Sequence, residues 1–346
     1  MNIALPAMAE NFLQMLMGMV DSYLVASLGL IAISGVSVAG NIITIYQAIF
    51  IALGAAISSL ISKCLAQGDK ERLAYHTAEA MKLTLFLSLL LGMISLLFGR
   101  QMLDLLGTEK AVSEAGSLYL ALVGGTIVLL GFMTSFGALV RVTRNPRFPM
   151  YVSLLTNVLN ALFSGVGIYV FHLGIVGVAL GTVLARLIGV VILWRELDLF
   201  AIHWSWSLDR ELLRLSLPAA GERLMMRAGD VVIIAIVVVF GTDAVAGNAI
   251  GEVLTQFNYM PAFGVATATV MLVAHAVGEG DMRAIGLIRK RTFWLSFACM
   301  LPLALGIFAL GRPLTLLYTD NSGAITASLS VILFSLLGTP MTVGTV

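Results

Sequence analysis

Leu5-Pro-Ala-Met-Ala-Glu10 (LPAMAE), near the start of the chain, returns as Leu217-Pro-Ala-Ala-Gly-Glu222 (LPAAGE), 212 positions further on. One such coincidence would mean little. The same offset also pairs Gly29 with Gly241, Ala32 with Ala244, Gly35 with Gly247, Ala56 with Ala268, Gly68-Asp69 with Gly280-Asp281 and Gly99-Arg100 with Gly311-Arg312. No gap is needed over about a hundred residues, so the chain contains two copies of one unit.

What each copy contains follows from composition. Hydrophobic residues make up 59% of the 346 and charged residues 11%, outside the range of soluble domains. Apolar stretches of the ~20 residues needed to cross hydrocarbon as a helix recur near 4–29, 34–62, 83–99, 117–140, 149–171, 174–194, 215–240, 246–276, 292–311 and 324–346. An all-α polytopic membrane protein of ten spans is expected. Six spans separate the copies, and an even number leaves both in the same orientation, as a parallel repeat about an axis along the membrane normal. The expected organisation is a six-helix lobe over 1–194, an amphipathic linker over 195–214 lying on the membrane surface, and a second lobe over 215–346. Val346 matches position 134 of the first copy, in mid-span, so four of six helices are expected in the second lobe.

Charge gives orientation. The loops after spans two, four, six and eight hold Lys63, Lys70, Arg72 and Lys82; Arg141, Arg144 and Arg147; Arg195, Arg210 and Arg214; and Arg283, Arg289, Lys290 and Arg291. The opposite loops hold only Arg100, Lys110 and Arg312. By the positive-inside rule the amino terminus lies in the cytoplasm, and all four tryptophans fall near that face. The first span lacks a basic leader and carries Glu10 and Asp21, unlike a cleavable signal. Two cysteines, Cys64 and Cys299, offer no disulfide framework or metal-ligand spacing. A net charge of +1 argues against a nucleic-acid partner.

Polar residues inside apolar spans are the candidate site. At about 100° per residue, Glu10, Gln14 and Asp21 share an arc of about 40° on the first helix. Ser153, Asn157, Asn160 and Ser164 share a face of the fifth. A carboxylate near the bilayer centre costs roughly 2.5–3.5 kcal/mol on insertion scales, so Asp21 needs a cavity, a partner or a transported ion. Two such faces would form a pocket of one acid and several neutral oxygens, suited to a proton or Na⁺; interhelical hydrogen bonding is the alternative reading. Glu10, near a span end, costs little there if solvated.

In the second lobe Arg223, Arg227 and Asp230 line one face of the seventh helix. Arg227 and Asp230, at i and i+3, can neutralise each other. Asn248, Glu252, Thr255 and Tyr259 line the eighth helix, and Glu252 would face a substrate cleft or pair with Arg227; Pro261 interrupts the same span. Arg186, with Thr182 one turn earlier, would pair with an acid or snorkel. His275 would be solvated near a span end.

Three stretches, "MVDSYLVASLGLIAISGVSVAG" (19–40), "GALVRVTRNPRFPMYVSLLTNVLNALFSGVGIYVFHLGIVGVALGTVLAR" (137–186) and "LPAAGERLMMRAGDVV" followed by "FGTDAVAGNAI", resemble the multidrug and toxic compound extrusion (MATE) transporters. The resemblance covers nearly the whole chain. It implies a twelve-helix antiporter that exports amphipathic, often cationic, drugs or metabolites against an inward flow of H⁺ or Na⁺, working as a monomer in the cell membrane without a cofactor. It also implies an ion-coupling role for Asp21, with a possible Na⁺ beside it, and for Asn160. Where the family often carries an acid four residues after that asparagine, this chain has Ser164; where some branches carry a seventh-helix glutamate, it has Met226.

Other readings of the same residues are a flippase of lipid-linked precursors from the wider superfamily, a non-functional truncated fragment, and an intramembrane enzyme. The first calls for several cations in its cleft, and only Arg186, Arg223 and Arg227 lie in spans. The last lacks an HExxH, an Asp-rich diphosphate motif or a deep Ser/His or Cys/His pair.

The loop charges make a topology prediction. With Cys64 and Cys299 removed, a cysteine placed at Asp243 should react with an impermeant thiol reagent applied to intact cells, while one at Asp281 should not. Equal labelling would overturn the assignment.

Overall fold

The computed structural model of the chain describes residues 19–145, 147–197, 209–259 and 282–345. Among these, every regular element is a helix: α1 (19–26), α2 (Leu30–Gln67), α3 (Lys70–Leu105), α4 (Lys110–Tyr119), a five-residue π-helical segment (Leu120–Gly124), α5 (Val128–Thr143), α6 (Phe148–Tyr169), α7 (Ile175–Arg195), α8 (Arg210–Val238), α9 (242–259), α10 (Met282–Leu316) and α11 (Ser322–Thr345).

Six of these, α2, α3, α6, α7, α10 and α11, are long and apolar enough to cross a bilayer alone. The fourth expected span is instead a bent pair: α4 runs through the π segment and meets α5 at 45°. The sequence predicts ten spans, and the difference in number has causes. The seventh, seen as α8, carries Glu222, Arg223, Arg227 and Asp230 and is too charged to qualify by composition. The first and eighth fall largely outside the described residues. With 38 and 36 residues, α2 and α3 exceed the ~20 residues that span hydrocarbon, so their ends extend past it. Between them Gly68 turns the chain at φ 69°, and Asp69 caps α3 by accepting from the Arg72 N–H at 3.0 Å.

By contact the chain forms two compact units, one of residues 31–242 and one of residues 1–30 with 243–346. Both cuts fall one residue after repeat-related glycines, Gly29 at φ 107° and Gly241 at φ 94°. Each ends the first helix of its copy in the left-handed region, where a side chain would be strained. The first helix of each copy therefore groups with the rest of the other copy. The lobes inferred from the repeat, 1–194 and 215–346, describe sequence ancestry, and the contact units describe packing.

The repeat reaches down to individual atoms. A Cβ on Gly35 would lie 2.8 Å from the Gly116 nitrogen, 3.0 Å from the Val112 oxygen and 3.1 Å from the Ala115 Cβ. A Cβ on Gly247 would press on Ser328, Ala324 and Ala327, the same three positions at the same offset of 212. Gly99 faces Leu120 as Gly311 faces Ile332, again at that offset. Both copies thus bring their second helix onto their fourth through a glycine. Below these contacts, α2 side chains Leu53, Ile57 and Ile61 meet Met81 of α3, Phe136 and Leu139 of α5, Leu193 of α7 and Leu212 of α8 in a buried core at one end of the larger unit.

Replacing Gly35 or Gly247 with valine should lower stability by about 1–3 kcal/mol each, because the obstructing atoms are backbone or alanine Cβ atoms and cannot rotate away. Thermal unfolding in detergent micelles would read this, and unchanged melting for both variants would remove the close-approach account.

Candidate functional site

The best-defined polar group among the expected site residues lies between α6 and α7. Three glycine contacts let these helices touch: Gly177 against Gly167, Gly181 against Ser164, and Gly189 against Thr156. Asn160 sits between the last two contacts. Its Oδ1 accepts from the Thr182 hydroxyl at 3.0 Å and from Ser164 at 3.3 Å, and both hydroxyls also reach the Val178 carbonyl, at 3.1 and 3.4 Å. Each hydroxyl has one proton and two acceptors within reach. Four oxygens thus converge where Ser164 is fully buried and Asn160 half-buried. Such a cluster can hand a proton from oxygen to oxygen or hold a monovalent cation; it also joins the helices. Asn157, on the same helix, makes no side-chain hydrogen bond among the described residues.

Asp21 is half-buried on α1, in the smaller unit, whereas the α6 amides belong to the larger one. Close to it, the Tyr318 hydroxyl donates to the Met19 carbonyl at 3.4 Å, and the Tyr23 and Tyr318 rings meet edge to face at 5.9 Å. Burial pushes the Tyr318 phenol up to about 12, so it stays a neutral donor. Glu10 and Gln14 lie outside the described residues, as do Pro261 and His275.

On α8, Arg227 Nη1 and Asp230 Oδ2 form an ion pair at 2.8 Å, with side chains about half exposed. Glu222 and Arg223 are exposed as well. On α9, Glu252 is exposed and accepts from the Asn248 amide at 3.0 Å. Asn248 and Thr255 are buried, and the half-buried Tyr259 ring packs with Met300, Val343, Phe293 and Phe297. The polar stripe on α9 therefore divides into an exposed acid and a packed side.

Two polar groups have no sequence motif to announce them. His76 of α3 is buried with its Nδ1 2.5 Å from Asp209 Oδ2. The other Asp209 oxygen caps α8, accepting from the N–H groups of Glu211 and Leu212 at 2.9 and 3.1 Å. Glu211 Oε2 stands 4.0 Å from His76 Nε2, and Glu211 Oε1 accepts from Lys63 at 2.9 Å. Three elements are pinned together where α8 begins. The second group lies between apolar helices, where Ser95 of α3 donates to the Tyr46 hydroxyl of α2 at 3.2 Å beside the π segment. A Cβ on Gly124 would lie 2.7 Å from Ser95 Oγ. π-helical turns shift backbone register within a helix and are frequent at functional sites.

The fold and these seams define a polytopic helical membrane transporter, with polar side chains set inside apolar helices and a duplicated architecture. The sequence model of the MatE family matches residues 6–166 and 218–346. The chain therefore belongs to the MatE family, which is one of transporters and not of enzymes. It is 27% identical over 331 residues to "Probable multidrug resistance protein NorM" of Thermotoga maritima, spanning 92% of this chain and 71% of that one. Identity to the protein of the same name from Bradyrhizobium diazoefficiens is 26%, over 90% and 71% of the two chains. Among solved structures, an inward-facing multidrug resistance MATE family transporter superposes with a TM-score of 0.85 at 19% identity, over 96% of this chain and 81% of the other. A MOP superfamily transporter from Pyrococcus furiosus superposes with a TM-score of 0.72 at 19% identity, over 99% of this chain and 82% of the other.

Asp209→Ala should destabilise the protein by about 2–4 kcal/mol, since it removes a helix cap and leaves the His76 imidazole buried without its partner. Asp209→Asn, which keeps an acceptor for the cap, should recover part of that loss in the same thermal assay. The hydrogen bond from Lys63 holds the Glu211 carboxyl below its ordinary range. The pair's contribution is thus complete above the ordinary carboxyl range and is lost as pH falls through the lowered value.

Proposed function

We propose that this protein is a secondary antiporter of the cell membrane, its amino terminus cytoplasmic, which exports amphipathic cationic drugs or metabolites in exchange for H⁺ or Na⁺. The observation that carries the reading is the charged, exposed middle of α8. Glu222, Arg223, Arg227 and Asp230 occupy a helix that continues into the apolar run Val231–Val238. Charged groups at that depth cost about 2.5–3.5 kcal/mol each against lipid on insertion scales, so their exposure is compatible with a water-filled passage and not with an acyl surface. Arg227, Asp230, Glu252 and Tyr259 are the proposed substrate contacts, and the names of the relatives support drugs as the cargo.

Asp21 is the proposed coupling acid, helped by Gln14, Asn157, Asn160 and Ser164. A coupling acid must change its charge or have it compensated during the cycle, and an aspartate in an apolar helix can do both. A gradient supplies enough energy, since one charge moved down 100 mV releases about 2.3 kcal/mol. The protein works as a monomer and needs no cofactor beyond the coupling ion.

Expression in a pump-deficient host should lower accumulation of lipophilic aromatic cations, and collapsing the ion gradients should abolish that effect. Asp21→Asn should leave insertion and melting temperature unchanged while abolishing gradient-driven export, and Asp21→Glu should retain part of it. Normal efflux by the Asn variant with unchanged pH dependence would make Asp21 a packing residue.

A further inference from the structure

The two copies share their glycine contacts but not the first turns of their third helix. In α3 two of the three cations at this end are neutralised, Lys82 by the buried Glu79 and Arg72 by Asp69, and Lys63 of the neighbouring α2 pairs with Glu211. At the corresponding register of α10, Thr77, Ala78 and Glu79 are replaced by Arg289, Lys290 and Arg291, and Lys82 by Trp294. All three cations are exposed, and among the described residues none has a carboxylate within ion-pair distance. No acid occurs anywhere between Met282 and Leu316.

An aromatic shelf follows one turn further into the membrane. Trp294 is 58% exposed and meets Phe293 edge to face at 5.7 Å and Phe297 at 5.9 Å; Phe293 and Phe297 stack at 6.4 Å. Lys290 and Arg291 stand four and three residues before Trp294, on its side of the helix, with Leu287 and Leu295 exposed alongside. Tryptophan sits at the boundary between headgroup and acyl chain. The register thus places three cations, without an ion-pair partner among the described residues, at headgroup level and an apolar ledge at the first methylenes.

We propose that the start of α10 is a binding site for an anionic phospholipid, with Lys290 and Arg291 holding the headgroup phosphate, Arg289 adding to the positive field from the adjoining face, and Trp294 with Leu287 and Leu295 lying along the acyl chain. Guanidinium groups are suited to phosphate because their donors form a planar fork. Juxtamembrane basic clusters gain roughly fivefold in affinity per cation near an anionic surface. The equivalent face of α3 lacks the site because Thr77, Ala78 and Glu79 stand where the three cations would be, and Glu79 holds Lys82 in an ion pair. The inference does not depend on what the protein transports.

The test uses tryptophan fluorescence of the full chain in phosphatidylcholine vesicles containing equal fractions of either brominated phosphatidylglycerol or brominated phosphatidylcholine. A parallel Trp294→Phe sample isolates the emission of that residue. The anionic lipid should quench Trp294 at least about twofold more strongly, and the preference should fall at high salt as the Debye length shrinks. The variant R289Q/K290Q/R291Q should quench equally with both lipids. Equal quenching in the unmodified chain overturns the proposal, as does a preference that survives the triple substitution or high salt. Loss of the preference on adding inorganic phosphate at constant ionic strength would make the site one for a free anion and likewise overturn it. Should the triple variant fail to insert, the salt series on the unmodified chain decides the question alone.

Discussion

Lipid tails are as apolar as leucine, so helices in a bilayer gain little by bringing leucines together, and close backbone approach must supply the attraction. That constraint governs this protein. Gly35 on Gly116, Gly167 on Gly177, Gly181 on Ser164 and Gly247 on Ser328 are places where one helix meets the backbone of the next. Large apolar side chains such as Phe86, Leu97, Phe334 and Leu337 are turned outward instead. The close contacts between helices are small-grained, while large apolar side chains are shared between the buried cluster around Leu53, Ile57 and Phe136 and the outer surface.

Close contact also brings polar groups within reach of one another across helices. Thr84 meets Ser135 at 2.7 Å, Thr182 meets Asn160, and Thr315 meets Ser328 at 3.0 Å, each pair beside a tightly packed stretch. Left alone in hydrocarbon these hydroxyls would each carry a desolvation cost; paired, they hold register. The two copies then part company at their ends. The first buries a Glu79–Lys82 pair where the second exposes Arg291 and Trp294, so one scaffold presents two different faces.

What sequence could and could not disclose divides along physical lines. The offset of 212 was readable because glycines at close contacts cannot change freely, and the Arg227–Asp230 pair was readable because i, i+3 spacing sets geometry within one helix. Long-range partners were not. Asp209 lies 133 residues from His76, in a segment read as part of a surface linker, and nothing local marks either residue as buried. The π segment escaped because no proline announces it; Gly124-Gly125 opposite the small residues Gly92 and Ser95 is the one available hint. The grouping of α1 with the later helices was also hidden, since periodicity records which face of a helix is polar but not which helices it joins.

That grouping bears on how the protein is made. Met19 and its hydrogen-bond partner Tyr318 are 299 residues apart. At ~5–20 residues per second, a ribosome needs roughly 15 to 60 s to travel that distance. Throughout that interval the helix carrying Asp21 has been synthesised while the turn it rests on has not. Its carboxylate must meanwhile be tolerated by the translocation channel, a lateral chaperone or a temporary neighbour. Biogenesis, as much as the finished structure, therefore limits how polar the first helix of this chain can become.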